Sequence, residues 1–224
     1  MQIRYLGHSA FEITDGKTVV LVDPFLTGNP KAAVTADELE ATDILITHGH
    51  EDHVGDAVAI SKRTGAPVTS MTEVARELGE EGIEIHDPNL GGTVTYDWGT
   101  VKLVPAWHTS TTAKGTVNTP SGLLITIGGV TVYHLGDTAL FSDMALVGRR
   151  TPIDVALICI GGHYTMDRHD AAVAAGLIGA ATVIPCHYNT FPPIETDVMA
   201  FKSDVEADTA SEVVVLDPGE TYSR

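Results

Sequence analysis

Apolar residues along the chain fall into short runs rich in Val and Ile. They lie at Ile3 to Leu6, Val19 to Val22, Ile44 to Ile46, Val101 to Val104, Leu123 to Ile127, Val130 to Leu135, Val155 to Ile160, Thr182 to Ile184 and Val213 to Leu216. Runs of this length and composition read as β-strands, several of them buried on both faces. Three stretches instead repeat their apolar positions with helical spacing: Val54 to Arg63, Thr72 to Leu78 and Asp170 to Ile178, with Gly65, Gly79 and Gly179 as stops. Strands alternate with helices early and late, whereas Gly91 to Tyr133 carries strands with no long helix between them. The pattern predicts an α/β fold of two sheets flanked by helices, with antiparallel stretches. With no short-period repeat and no linker, residues 1–224 are expected to form one domain.

Composition narrows the function classes. A chain of 224 residues, 43% hydrophobic, is long enough to bury about 70% of its unfolded surface around a sizeable core. No apolar run approaches the roughly 18 residues of a membrane span, and the start Met1-Gln-Ile-Arg-Tyr-Leu lacks the marks of a secretion signal. A cytoplasmic location without a membrane partner is expected. The formal charge of -17 speaks against broad electrostatic binding to nucleic acid or an anionic membrane, and leaves room for a small local positive site. Cys159 and Cys186, the only two cysteines, each sit in an apolar run and read as buried thiols.

Against that acidic background, "ILITHGHEDHVGD" at 44 to 56 places three histidines and three acids directly after a strand. Imidazole and carboxylate are costly to desolvate unless something compensates them, and a metal ion would use most of them together. Residues i and i+2 of an extended segment point the same way, so His48 and His50 can grip one ion. Asp52 and His53, where the chain turns into a helix, can face a neighbouring one. Glu51 and Asp56 read as solvated carboxylates near a helix start. An H-x-H-x-D-H string arises by chance on the order of once in several hundred such chains. Further His and Asp residues close other strands: His8, Asp23, His108, Asp137, His163 and His187. Ligands converge at such strand ends because side chains leave the packed layers there. The stretch Thr109 to Thr119, right after His108, reads either as a solvated loop or as one that faces the substrate.

In these motifs the chain resembles the metallo-β-lactamase superfamily: "VDP" at 22 to 24, "THGHEDH" at 47 to 53, His108, "GDT" at 136 to 138 and His187. The segments "LGHSAF", "VDPFLTGNP", "DWGTVKLVPAWH", "YHLGDTALFSDM", "IGGHYTMDRHDA" and "VIPCHYNTFPPI" are similar to an uncharacterised metal-dependent hydrolase family near the ascorbate 6-phosphate lactonase branch. The resemblance implies an αββα sandwich: two mixed sheets face to face with helices on both outer faces. It implies His48, His50 and His108 on a first metal, Asp52, His53 and His187 on a second, and Asp137 bridging both. An Asp at 137 resembles the hydrolase branches, since two-zinc β-lactamases carry Cys in that role. A His at 50, where diiron relatives carry Glu, favours hydrolysis over redox chemistry.

Two divalent ions, two ligand aspartates and a bridging hydroxide leave a local charge of about +1, which suits an anionic or carbonyl-bearing small molecule. The expected function is metal-dependent hydrolysis of a small ester, lactone or phosphoester, with zinc as the expected metal and manganese, nickel or iron as alternatives. Asp137 could also accept the nucleophile's proton, with Asp52 the other catalytic carboxylate. His8 and His163 could bind substrate or protonate the leaving group. Asp23 is expected to orient a ligand histidine through its other ring nitrogen. His134 is expected to pack or to orient a neighbour, His86 and His169 to be solvated, and Cys186 to pack. Tyr164, Thr165, Asn189 and Thr190 neighbour the site in sequence. The apolar segment "TFPPI" at 190 to 194 hints at a homo-oligomer. A phosphodiesterase or nuclease, and a non-catalytic metal-binding or assembly module, are the alternatives. The acidic balance counts against the former and the complete ligand set against the latter.

Overall fold

The computed structural model describes residues 1–224. The first half forms β1 (Gln2–Gly7), β2 (Ala10–Thr14), β3 (Val19–Val22), β4 (Asp43–Leu45), α1 (Glu51–Val54), α2 (Ala57–Thr64), β5 (Val68–Thr69), α3 (Thr72–Gly79) and β6 (Ile85–His86). The second half continues with β7 (Thr93–Tyr96), β8 (Gly99–Pro105), β9 (Ser110–Thr111), β10 (Val117–Asn118), β11 (Ser121–Ile127), β12 (Val130–His134) and α4 (Met144–Arg150). It ends with β13 (Val155–Cys159), α5 (Arg168–Ile178), β14 (Thr182–Cys186), α6 (Val198–Asp208), β15 (Glu212–Val213) and β16 (Thr221–Ser223).

One seven-stranded sheet runs β16-β1-β2-β3-β4-β5-β6 and the other β15-β14-β13-β12-β11-β8-β7. In both, an antiparallel meander passes into parallel strands: after β3 in the first and after β12 in the second. Strand alternation sorts the apolar side chains into layers. Ile3, Tyr5, Val20, Val22 and Leu45 meet Leu103, Leu123, Ile125, Leu157 and Ile184 between the sheets. Leu6, Leu21, Ile44 and Ile46 turn outward onto Ala57, Ile60, Val74 and Leu78 of the first helical layer. Tyr133, Ala156 and Ile158 do the same onto Ala171, Ala175, Ile178, Phe201 and Val205 of the second. The result is the four-layered αββα sandwich. No helix is long and apolar enough to cross a membrane.

The expected strands and helices form, with local differences. The helix read over Val54 to Arg63 is split into α1 and α2 at Gly55, whose φ is +42° and whose Cβ, if present, would lie 2.5 Å from Phe25 Cα and Pro24 O. The strand read over Val213 to Leu216 is limited to Glu212–Val213. Helices α4 and α6 and strands β2, β5, β6, β7 and β16 lie outside the elements read from the sequence. Cys159 and Cys186 are free and buried, in the outer and central core layers respectively.

Helix α4 lies close against α5 at a glycine: a Cβ on Gly148 would stand 2.0 Å from the carbonyl oxygen of Ile178. Backbone cannot rotate aside as a side chain does, so Gly148→Ala is expected to cost about 1–3 kcal/mol of stability. Urea denaturation should read this as a lower midpoint with an unchanged slope.

Candidate metal centre

Loops at one rim of the sandwich bring together two groups of donors, His48, His50, His108 and Asp137 in one and His8, Asp52, His53 and His187 in the other. Within each group the potential ligand atoms all lie within 4.8 Å of one another. Asp137, fully enclosed after β12, stands between the groups: Oδ1 is 3.2 Å from His53 Nε2, while Oδ2 is 3.2 Å from His187 Nε2 and 3.6 Å from His108 Nε2. Asp52 Oδ2 lies 3.2 Å from His8 Nε2 and 3.9 Å from His187 Nε2.

Hydrogen bonds fix which ring nitrogens are bare. Thr47 donates its amide to Asp23 Oδ1 at 2.8 Å and its hydroxyl to Asp23 Oδ2 at 2.7 Å. That hydroxyl has spent its only proton, so at 3.0 Å it accepts from His48 Nδ1–H, which leaves His48 Nε2 without a proton, 3.0 Å from His50 Nδ1. His53 Nδ1–H likewise donates to Asp23 Oδ2 at 2.7 Å, and Nε2 is left facing Asp137. Asp23 therefore orients His53 directly and His48 through Thr47. His134 is buried; its Nδ1 accepts from the amide of Gly136 at 3.0 Å, and its Nε2 donates to Ser9 O at 3.1 Å. It holds the turn that delivers Asp137 and is no part of the donor groups.

The residues fit a pair of divalent cations. His53 Nε2, Asp137 Oδ1 and His187 Nε2 are buried without any hydrogen-bond partner, a costly state for polar atoms that a cation would compensate. Imidazole nitrogens and carboxylate oxygens are the donors that zinc and its first-row neighbours accept. Electrostatics point the same way. Burial pushes the His8 pKa down to about 4 against the raising effect of Asp52. Burial and the neighbouring His53 push His48 well below its ordinary value. Burial alone would raise Asp137, but His187 and His53 outweigh it and hold the carboxyl well below the usual range. His53 is the exception: burial opposes its charge, and Asp137 with Asp23 raise it.

The backbone at this rim is unusual. His8, Asp23, His163, His187 and Asn189 have φ between +45° and +59°, a region L-residues rarely enter. Gly49, inside the His-x-His loop, meets the β9–β10 hairpin so closely that a Cβ would lie 2.6 Å from Asn118 Nδ2. Its amide is held by Ser110 Oγ at 3.0 Å and Asn118 Oδ1 at 3.2 Å. The stretch Thr109 to Thr119 is thus partly a hairpin that clamps this loop.

Above the donors opens a cavity of about 560 Å³, lined by His8, His50, Asp52 and His187, by Thr111 and Thr112 of the hairpin, and by the apolar side chains of Phe25, Phe191 and Ile194 among others. The segment 190 to 194, read from the sequence as a hint of self-association, supplies a cavity wall through Phe191, Pro193 and Ile194. His163 is exposed and stacks edge-on against Tyr164, with ring centroids 4.4 Å apart; Tyr164 lines the cavity and His163 does not. Thr190 Oγ1 lies 2.8 Å from His8 Nδ1. Asn189 Oδ1 accepts from the Thr196 amide, and Thr165 Oγ1 approaches the carbonyl of Met166, so both support loops. Asp56, expected as a solvated carboxylate, accepts from the amides of Leu26 and Thr27 at 3.0 and 2.8 Å. Sequence reasoning missed Thr47, Ser110 and Asn118. For Ser110 and Asn118 the only signal was the glycine between two histidines, which marks a close approach.

A family model described as beta-lactamase superfamily domain matches residues 2–187. The chain belongs to that superfamily. A UPF0173 metal-dependent hydrolase of Symbiobacterium thermophilum is 50% identical, the match covering 100% of each chain. Another from Thermus thermophilus is 48% identical over 98% of this chain and 97% of its own. Among solved structures, Igni18, described as a novel metallo hydrolase from Ignicoccus hospitalis, has a TM-score of 0.90 and 39% identity over 99% of this chain and 97% of that one. Like these superfamily members, the protein is a metal-dependent hydrolase. They carry that broader assignment and not the lactonase branch.

Two expectations follow for the metal centre. Asp23→Asn should loosen the hold on His53 and lower metal affinity about 10–100-fold, read by competition with a chromophoric chelator. In the metal-free protein, stability should fall on acidification. An unfolded imidazole takes up a proton near pH 6.5, while buried His8 resists until about 4. Its contribution is therefore present above pH 6.5 and lost as pH falls through that window. His48, His50, His108 and His134 shift the same way by burial, and His53 alone opposes them. Urea midpoints of metal-stripped protein at about pH 7.5 and about pH 5 check the sign.

Proposed function

We propose that the protein hydrolyses a small ester, lactone or phosphoester on the floor of this cavity, with two divalent ions held between the two donor groups. The observation that carries the reading is the set of buried, partnerless nitrogen and oxygen atoms directly beneath a solvent-open cavity. His48, His50 and His108 are assigned to one ion and Asp52, His53 and His187 to the other, with Asp137 serving both. Zinc suits this donor set, as do manganese, nickel and iron. When bound, the ions supply a water whose pKa falls towards about 7 and polarise the scissile carbonyl or phosphoryl oxygen.

The chain's own residues supply the rest. Asp23 and Thr47 keep the rings of His53 and His48 in the tautomers that leave Nε2 bare. Asp137 faces both donor groups and is placed to accept the proton of the attacking water at a carboxylate oxygen. Asp52 is braced by His8 Nε2, and His8 in turn by Thr190. Of the two histidines considered for substrate contact or leaving-group protonation, His8 lines the cavity and takes that assignment. His163, exposed outside it, takes none.

Asp137→Ala should reduce hydrolysis of an ester and lactone panel by at least about 10²-fold and lower the bound metal per chain. Turnover measured beside metal content by mass spectrometry checks both. Full activity with undiminished metal would remove the basis of the reading.

A further inference from the structure

The walls of the cavity differ in chemistry from its floor. Phe25 and Phe191 each present an edge-on ring to His8 with centroids 5.8 Å away, and Pro193 and the fully buried Ile194 extend the same apolar surface. No lysine or arginine lines the cavity; its charged side chains other than imidazoles are the carboxylates Glu51 and Asp52. Lys114, next to the lining residue Ala113, is engaged at 3.3 Å with Glu80 and at 3.4 Å with Glu81. Helix α1 begins in this wall and opens with Glu51 and Asp52, so its start repels an anion. An anionic group held away from the ions would need a guanidinium, an ammonium or free N–H donors, and an apolar wall without them penalises its desolvation.

Resting on the reading that this cavity is the hydrolytic site, we propose that the part of the substrate away from the scissile group is uncharged and apolar. A short alkyl or aryl group would seat against Phe25, Phe191 and Pro193, while the exposed Glu51 at the rim turns away anionic homologues.

The test uses the full-length, metal-loaded protein and pairs that differ only by a distal carboxylate. Hexanohydroxamic acid and adipic acid monohydroxamate chelate through the same group, and calorimetry should find the neutral member bound about tenfold more tightly. Glu51→Gln and Phe191→Ala should each shrink that ratio about threefold, the first by improving the anionic ligand and the second by weakening the neutral one. Hydrolysis of p-nitrophenyl hexanoate and p-nitrophenyl hydrogen adipate should follow the same order in kcat/KM. Equal or tighter binding of the anionic hydroxamate, or a ratio that neither variant changes, overturns the proposal. A preference for the neutral hydroxamate with neither ester turned over would count against ester cleavage as the reaction at this site and leave the apolar assignment standing.

Discussion

A carboxylate with no access to water and no donor for one of its oxygens constrains everything around it. Asp137 is 2% exposed, and Oδ1 has no hydrogen-bond partner. An uncompensated buried charge costs several kcal/mol. Neutral imidazoles offer it little relief: with the proton of His53 on Nδ1 toward Asp23, a bare Nε2 faces the carboxylate, and only a second proton on His53, which Asp137 and Asp23 favour, or a cation brings positive charge there. Lone pairs directed at one another across about 3 Å are mutually repulsive unless a positive charge stands between them. Packing thus builds a place for positive charge into the interior, which a cation would fill and which a proton on His53 supplies otherwise.

The same constraint explains why the rim tolerates unfavourable backbone. His8, Asp23 and His187 all have left-handed φ, each worth of order 1–3 kcal/mol of strain. Each sits where a strand stops and the chain must turn at once to aim a side chain inward. The turns are tied to one another: the His187 amide donates to His8 O at 2.7 Å and joins the rims of the two sheets. Gly161 lets the neighbouring strand end approach, since a Cβ there would lie 2.3 Å from His187 O. Gly136, at φ +63°, turns the chain immediately before Asp137. The strain is offset by hydrogen bonds that converge on Asp23 and Thr47, and these hold only if all the turns are made together.

What could be read from the sequence follows from the range of the forces involved. Val- and Ile-rich runs announced the strands because those residues are buried on both faces, and the helix ends at Gly65 and Gly179 are left-handed caps. The donors were legible because His and Asp are costly at strand ends without a purpose. Helix α6 escaped notice although Asp197 caps it and Phe201 and Val205 face the core, since Val198-Met-Ala-Phe is apolar without a clear period. Strands β5 and β6, two residues each, exist through pairing, β5 with β4 and β6 with β5, and carry no local signal. Thr47, Ser110 and Asn118 act across separations of 24 to 69 residues, which no local pattern encodes. The segment "TFPPI" was legible as apolar but not as a cavity wall, because only the fold brings Phe191 and Pro193 to the mouth of the site.

Ligand residues and specificity residues therefore belong to different structural classes. The donors leave the ends of strands that are locked into two interdigitated core layers, so their spacing is fixed by the packing of the whole sandwich and tolerates little change. The cavity walls come from the loop at 190 to 194, the β9–β10 hairpin and the turn at Phe25, none of which contributes to the central core. Substitutions of the cavity-facing Phe25 and Phe191 alter what enters, whereas Ser110, Asn118 and Thr190 in the same segments also hold the donor loops in place. A frame that keeps its reactive chemistry constant while its loops vary can serve chemically different substrates, and on the proposed reading the walls at Phe25 and Phe191 and the rim at Glu51 make that choice around His8.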